Sequence, residues 1–143
     1  MQVELRRFKS YPRLSEETTA FNADLWIDGQ KAGTCENSGK GGPNDVHITD
    51  PATRQAFSAY VAALPPEPSQ WGPLPMSEDL FIGLLVEKAE QVEFIARKTK
   101  KHVIFRLAGD AEGSWRQANI VGTREATIAY WRGKYGDRIT EIH

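Results

Sequence analysis

The sequence has 143 residues, of which 40 % are hydrophobic and 26 % are charged, with a formal net charge of −1. This length predicts one domain, and the composition is that of a globular protein with a buried core. No apolar run approaches the roughly 18 residues that cross a bilayer, and the N-terminus lacks the apolar centre of a signal peptide. Cys35 is the only cysteine, which excludes an internal disulfide and sites built on paired thiolates. We therefore expect a cytoplasmic protein that makes no membrane contact.

The charges are distributed unevenly along the chain. Residues 1–13 carry a net charge of +3, residues 14–96 carry −9 and residues 97–143 carry +5. If the segments do not interleave in space, this segregation predicts an acidic and a basic surface that steer a charged partner.

Alternating apolar and polar residues predict strands in the first part of the chain. Residues 3–8 alternate, and residues 21–27 alternate clearly up to Asp28 and Gly29. Asp-Gly favours a two-residue type I′ turn, so residues 30–37 should form the returning strand of a hairpin.

The register of this hairpin places its side chains. It pairs Leu25 with Ala32 on one face and Trp26 with Lys31 on the other, polar face. We therefore expect Trp26 and Lys31 to be exposed, together with Trp71 in the proline-rich segment, and either tryptophan suits a partner anchor.

Capping residues predict two helices in the middle of the chain. Asp50 and Pro51 suit an N-cap and a first helical position, for a helix that ends near residue 64. Ser77 suits a second N-cap, for a helix of about twenty residues. The apolar stripe predicted for this second helix consists of Phe81, Leu84, Leu85, Val92, Ile95 and Ala96. The five prolines of residues 65–75 predict a stiff internal connection between the helices.

The last third of the chain returns to a period of two and then to a helix. Val103, Phe105 and Leu107 predict one face of a strand, and a turn leads to a second strand near Trp115. A helix capped by Thr123 should end at Gly136, followed by a short closing strand; its inward residues should be Ile128, Trp131 and Tyr135.

These elements predict an α+β fold. Their order is β-β-β-α-α-β-β-α-β, which suits a mainly antiparallel sheet with about three helices packed on one face. We expect residues 1–143 to form a single domain.

The segment ENSGKGGPND, residues 36–45, is the main candidate for a ligand-binding loop. A Walker loop requires Gly-Lys-Ser/Thr leading into a helix, whereas here a second glycine follows the lysine and the loop leaves a strand. The pattern favours a turn or flexible rim, and a contact to a ligand or partner stays open. The residues concerned are Gly39, Lys40, Gly41, Gly42 and Asn44.

No catalytic constellation stands out, so we expect no enzyme activity and no cofactor. No G-x-S-x-G nucleophile elbow occurs, and Cys35 suits a small strand residue. Asp45 and His47 lie on one side of an extended segment, but no second histidine or cysteine stands at metal-ligand spacing. We therefore expect no metal site.

The strongest electrostatic feature is the stretch RKTKKHVIFR, which contains five cations and no acidic residue. Cations at a helix C-terminus stabilise its dipole, by about 0.3–1 kcal/mol each. They also suit contact with phosphates or with an acidic protein surface. Both interpretations stay open for Arg97, Lys98, Lys100, Lys101 and Arg106.

Several segments together resemble a group of small proteins that bacteriophages, prophages and other mobile elements encode. These segments are LSEETTAFNADLWIDGQKAGT, the N-x-G-x-GGPN loop, IFRLAGD, GSWR and KYGDRITEI. No functional motif is known for the group, so the resemblance implies no site residues. It implies a bacterial host and a small accessory protein of the kind that often inhibits host systems, including CRISPR and other defence machinery.

The sequence leaves three functional hypotheses. The first is a non-enzymatic binding protein that inhibits a host protein or ribonucleoprotein through charged surface and exposed aromatic residues. The second is a module that binds nucleic acid directly. The third is a nucleotide-binding protein or a small enzyme that uses the glycine loop.

Overall fold

The computed structural model describes all residues, 1–143. It contains, in chain order, β1 (Val3–Ser10), β2 (Phe21–Ile27), β3 (Gln30–Asn37), β4 (Asp45–Ile48), α1 (Pro51–Ala62), α2 (Glu78–Lys98), β5 (His102–Leu107), β6 (Arg116–Asn119), α3 (Arg124–Tyr135) and β7 (Ile139–Ile142). The predicted α+β class and order of elements are confirmed. The structure adds strand β4 after the glycine loop and divides the strands between two antiparallel sheets.

The first sheet has the strand order β1-β2-β3-β4, and all its neighbours are antiparallel. The turn between β2 and β3 has positive φ angles at Asp28 (50°) and Gly29 (80°), as a type I′ turn requires. The hairpin predicted from Asp28-Gly29 is therefore confirmed.

The register of this hairpin differs from the prediction at one pair. Trp26 pairs with Lys31 as predicted, but Leu25 pairs with Gly33 because an irregularity between Leu25 and Trp26 leaves Ala32 as an extra residue. Gly33 is also where β4 approaches closely. A Cβ atom there would lie 1.8 Å from the carbonyl oxygen of His47, so only glycine fits.

Helices α1 and α2 begin at the predicted caps. The carboxylate of Asp50 accepts a hydrogen bond from the backbone N–H of Thr53 (2.9 Å), and the hydroxyl of Ser77 accepts one from the N–H of Leu80 (3.1 Å). Both helices contribute to one hydrophobic core with the inward face of β2. The buried members of this core are Phe21, Ala23, Leu25, Ile27, Cys35, Phe57, Val61, Ile82 and Val86.

The apolar stripe predicted for α2 is wrong at Val92, whose residue surface is 68 % exposed, and at Ala96, which is also exposed. Phe81 and Leu85 do pack against the core, but its buried contacts from α2 come from Ile82 and Val86. The core includes no residue of α2 after Val86, so Val92 has no apolar partner there. Helical spacing alone did not show where the core ends.

The second sheet has the strand order β6-β5-β7, with helix α3 against one face. Phe105 on β5 stacks on Trp131 of α3, with ring centroids 5.1 Å apart, and its ring lies 5.9 Å from that of Tyr135. The hydroxyl of Thr123 accepts a hydrogen bond from the N–H of Ala126 (3.1 Å), which confirms the predicted cap. The helix ends at Gly136, whose φ angle is +55°.

The chain separates into two compact units, Met1–Glu90 and Gln91–His143, so α2 contributes residues to both. The single domain remains a prediction. The first unit has eight basic and thirteen acidic residues and a net charge of −5; the second has ten and six, and a net charge of +4. The two units therefore carry net charges of opposite sign. None of the helices is long and apolar enough to span a membrane.

Candidate partner-binding surfaces

Trp71 is presented to solvent at the tip of an ordered turn. Its surface is 84 % exposed. Glu67 and Leu74 close the turn by exchanging two backbone hydrogen bonds of 2.9 and 2.8 Å. Within it, the hydroxyl of Ser69 accepts a hydrogen bond from the N–H of Trp71 (3.2 Å) and donates one to the carbonyl of Gly72. The proline-rich connection thus fixes the backbone that carries Trp71. The prediction that Trp71 is exposed is confirmed.

The five cations of the basic stretch do not form one group. Arg97 and Lys98 belong to the last turn of α2, where the ring of Phe94 lies 5.6 Å from the guanidinium and 5.8 Å from the ammonium group. Lys100 and Lys101 occupy the turn before β5, are exposed and make no salt bridge. These four residues, Arg97, Lys98, Lys100 and Lys101, form what we call the basic turn.

Arg106 lies apart from the basic turn, on β5. Its guanidinium carbon lies 4.3 Å from the ring centroid of Trp115, a cation–π contact within the second unit. The side chain is half-buried and its Nε atom is fully buried, so Arg106 presents less of its charge to a partner than Lys100 and Lys101 do.

Trp26 is half-buried, so the prediction that it is exposed is wrong, while its role as a partner contact stays a prediction. Because Glu4 pairs with Trp26, Arg6 lies one pleat further along the same face of β1. Its guanidinium covers the Trp26 ring at 3.8 Å from the centroid. Lys31, opposite Trp26, is exposed but makes a salt bridge of 3.4 Å with Asp24. This face of the first sheet is occupied by contacts within the chain.

The glycine loop is organised by the buried side chain of Asn37. Its Oδ1 accepts hydrogen bonds from the N–H of Gly39 (2.8 Å) and the hydroxyl of Thr18 (2.9 Å). Its Nδ2 donates to the carbonyl of Gly42 and to Oδ1 of Asn44, both at 3.0 Å. Sequence reasoning missed this role, although Asn-Ser-Gly is the composition of an Asx turn, in which an asparagine side chain bonds the backbone two residues on.

Both ends of the loop are also fixed to other segments. The carbonyl of Gly39 accepts hydrogen bonds from the N–H groups of Glu16 (2.9 Å) and Glu17 (3.0 Å). The N–H of Asn44 donates to the carboxylate of Asp79 in the first turn of α2 (2.8 Å). The loop therefore links residues 16–18 to α2, while Lys40 is exposed at its surface.

A cleft of about 850 Å³ lies beside the loop within the first unit. Its lining includes five carboxylates and no lysine, arginine or histidine. The carboxylates belong to Glu16, Glu17, Asp79, Glu87 and Glu90. An anionic nucleotide phosphate is repelled by such a lining, so the electrostatics oppose the nucleotide-binding hypothesis at this cleft.

The other candidates for chemistry are poorly placed for it. Cys35 is fully buried in the core, and burial raises the pKa of its thiol to about 12, so it is not a thiolate at neutral pH. Glu36, Asp45 and His47 bring ligand-type atoms within 4.8 Å of one another, a grouping that the pairing of β3 with β4 creates. All three are exposed, and exposed groups of this kind are common without a bound ion.

The structure also shows an apolar surface that sequence reasoning missed. Val121 is 76 % exposed and Tyr130 is 62 % exposed, and both line a cavity of about 540 Å³ beside β6. Tyr130 stands next to Trp131, but the sequence pattern was used to orient only Ile128, Trp131 and Tyr135. The signal that was available is an aromatic residue on each of two adjacent helical positions, which cannot both face the core.

Comparisons with known proteins give no relative for this chain. No protein-family model, no curated protein and no solved structure matches it.

Proposed function

We propose that this chain is a non-enzymatic binding protein that engages a host protein or ribonucleoprotein through an exposed aromatic anchor and a basic surface. The resemblance to proteins of phages and other mobile elements motivates a bacterial host and an inhibitory, anti-defence role.

Trp71 is the observation that carries this proposal. An indole that stays in water does not gain the free energy of burying its apolar surface, which is about 25 cal/mol for each Å². The hydrogen-bonded turn of Glu67 and Leu74 fixes the backbone under this side chain, which lowers the entropy lost when a partner covers it. Tryptophan is also the residue type most enriched among interface residues that dominate binding energy.

The basic turn supports the same proposal and suggests the charge of the partner. Lys100 and Lys101 are exposed, make no salt bridge and belong to a unit of net charge +4. An acidic protein surface or a phosphate backbone complements such a surface and accelerates association at low salt. Direct binding of nucleic acid is therefore the second candidate function, favoured by the basic turn alone.

Affinity capture from bacterial lysate tests the proposal. The tagged chain is compared with Trp71→Ala and with a control, Val92→Ala, which shortens another exposed apolar side chain. Proteins are identified with and without nuclease treatment. We expect a protein that survives nuclease, is lost with Trp71→Ala and is retained with Val92→Ala. Equal capture by all three chains contradicts the role of Trp71.

The contribution of charge is tested with a matched pair of double variants. Lys100→Gln with Lys101→Gln removes two charges from the basic turn, and Arg13→Gln with Lys88→Gln removes two exposed charges elsewhere. We expect only the first pair to weaken capture. Recovery of nucleic acid alone, lost on nuclease treatment, would replace the inhibitor proposal with the second candidate.

A further inference from the structure

Strand β6 has an unpaired edge. It is the outer strand of the order β6-β5-β7. Ile104 exchanges both of its backbone hydrogen bonds with His143, on the β7 side, so its N–H and C=O point away from β6. In an antiparallel ladder the residue opposite, Gln117, then directs its own N–H and C=O outward. By the same alternation Asn119 does so too, and the edge offers two donors and two acceptors to another strand.

An apolar groove lies along this edge, between β6 and α3. Its lining includes Gln117, Ala118, Val121, Tyr130 and Trp131, and its volume is about 540 Å³. Tyr130 makes an edge-on contact with Trp131, with centroids 5.2 Å apart, so one wall is built from packed aromatic rings. The groove is large enough for one or two apolar side chains.

Hydrogen bonds within the second unit fix one wall of the groove. The buried hydroxyl of Thr127 accepts a hydrogen bond from the N–H of Val121 (2.9 Å) and lies 3.2 Å from the carbonyl oxygen of the same residue. The segment that joins β6 to α3 is thereby fixed to the helix. A ligand that enters the groove does not have to order this segment first.

We infer that the β6–α3 groove binds an extended segment of the partner, which pairs with β6 as an additional strand and inserts an apolar side chain beside Tyr130. This inference rests on the proposed binding function. The outward N–H and C=O groups of Gln117 and Asn119 match an extended backbone, and the apolar groove matches its alternate side chains. The net charge of +4 on this unit favours acidic residues at the intervening positions.

The test uses random heptapeptides displayed on phage and selected on the full chain. We expect enriched peptides in which apolar and acidic residues alternate. The affinity of an enriched peptide, synthesised with a fluorophore, is then measured by fluorescence anisotropy. Methylation of its backbone nitrogens one at a time should weaken binding at every second residue, because only alternate N–H groups face β6. Uniform tolerance of methylation contradicts strand addition.

Two variants locate the peptide on the chain. Gln117→Pro removes one outward N–H and leaves the ladder with β5, whereas the control Gln117→Ala keeps that N–H. Tyr130→Ala removes a wall of the groove. We expect Gln117→Pro and Tyr130→Ala each to weaken binding by about tenfold or more, and Gln117→Ala to change it little. Circular dichroism checks the fold of each variant, and Tyr130→Ala decides the matter if Gln117→Pro does not fold.

Three outcomes overturn the inference. They are the failure of any peptide to be enriched, equal affinity of an enriched peptide for all variants, and self-association of the chain that Gln117→Pro abolishes. The last outcome would assign the edge to a second copy. If Trp71→Ala abolishes capture from lysate but no peptide binds, the groove inference fails alone. If peptides bind the groove but Trp71→Ala leaves capture unchanged, the proposed function fails alone.

Discussion

The guanidinium of Arg54 in α1 donates two hydrogen bonds to the carboxylate of Glu78, the first residue of α2, at 2.9 and 2.8 Å. The hydroxyl of Ser58 donates a third, at 2.8 Å. This bidentate contact joins the beginnings of the two helices that cover the first sheet. It therefore fixes the first turn of α2 against α1.

Arg54→Met should lower the free energy of unfolding by about 1 kcal/mol, because the partly exposed pair is screened by water. Urea denaturation measures the change. The hydrogen bond from Arg54 lowers the pKa of Glu78 below its unfolded value of about 4.3. The pair therefore stabilises the fold above that pH, and this contribution is lost as the pH falls through the lower folded pKa. A double-mutant cycle with Glu78→Gln that shows no coupling contradicts the prediction.

Gly39→Ala should destabilise the protein by more than about 2 kcal/mol, while Gly42→Ala in the same loop should change stability by less than about 0.5 kcal/mol. Gly39 has a φ angle of +85°, and a Cβ atom there would lie 2.3 Å from the carbonyl oxygen of Leu14. Gly42 has no atom within 4 Å of such a position. Urea denaturation of the two variants provides the comparison, and equal effects would show that the close approach at Gly39 is not a constraint.

Local signals in the sequence predicted much of this fold. The Asp28-Gly29 turn and the caps Asp50, Ser77 and Thr123 each depend on neighbours within three or four residues, and all occur as predicted. Alternation of period two likewise located strands β1, β2 and β5, since it records only which face of a strand is buried, but it did not predict β4.

Other features that were wrong or missed depend on contacts between segments that are distant in sequence. The cover of Arg6 over Trp26 depends on the register between β1 and β2, which no local pattern fixes. The network of Asn37 joins residues 18, 39, 42 and 44, and the division into two sheets depends on which strands pair. The exposure of Trp71 was predicted correctly, because a proline-rich turn buries little of a tryptophan side chain.

The carboxyl group of Asp110 should titrate at a pKa of about 2 in the folded protein, as measured by carbon-detected NMR of the side chain. Arg116 donates to it at 2.9 and 3.0 Å, and the N–H of Leu107 donates at 3.0 Å. The pKa is lowered, so these contacts stabilise the fold above the unfolded value of about 3.9 and are lost as the pH falls toward the folded value. Arg116→Gln should raise the pKa. A value near about 3.9 in the unmodified chain would show that the contacts are absent in solution.

Trp71→Phe should remove the component of tryptophan fluorescence that acrylamide quenches most readily and that emits at the longest wavelength. Trp71 is 84 % exposed as a residue, whereas Trp26 lies under Arg6 and Trp131 is stacked on Phe105. The free energy of unfolding should change by less than about 0.5 kcal/mol, because the side chain buries little surface. The control Trp131→Phe should instead destabilise the protein by about 1 kcal/mol or more and leave the readily quenched component in place. If the readily quenched component survives in Trp71→Phe, the indole of Trp71 is covered in solution, and the partner-binding proposal then loses the observation that carries it.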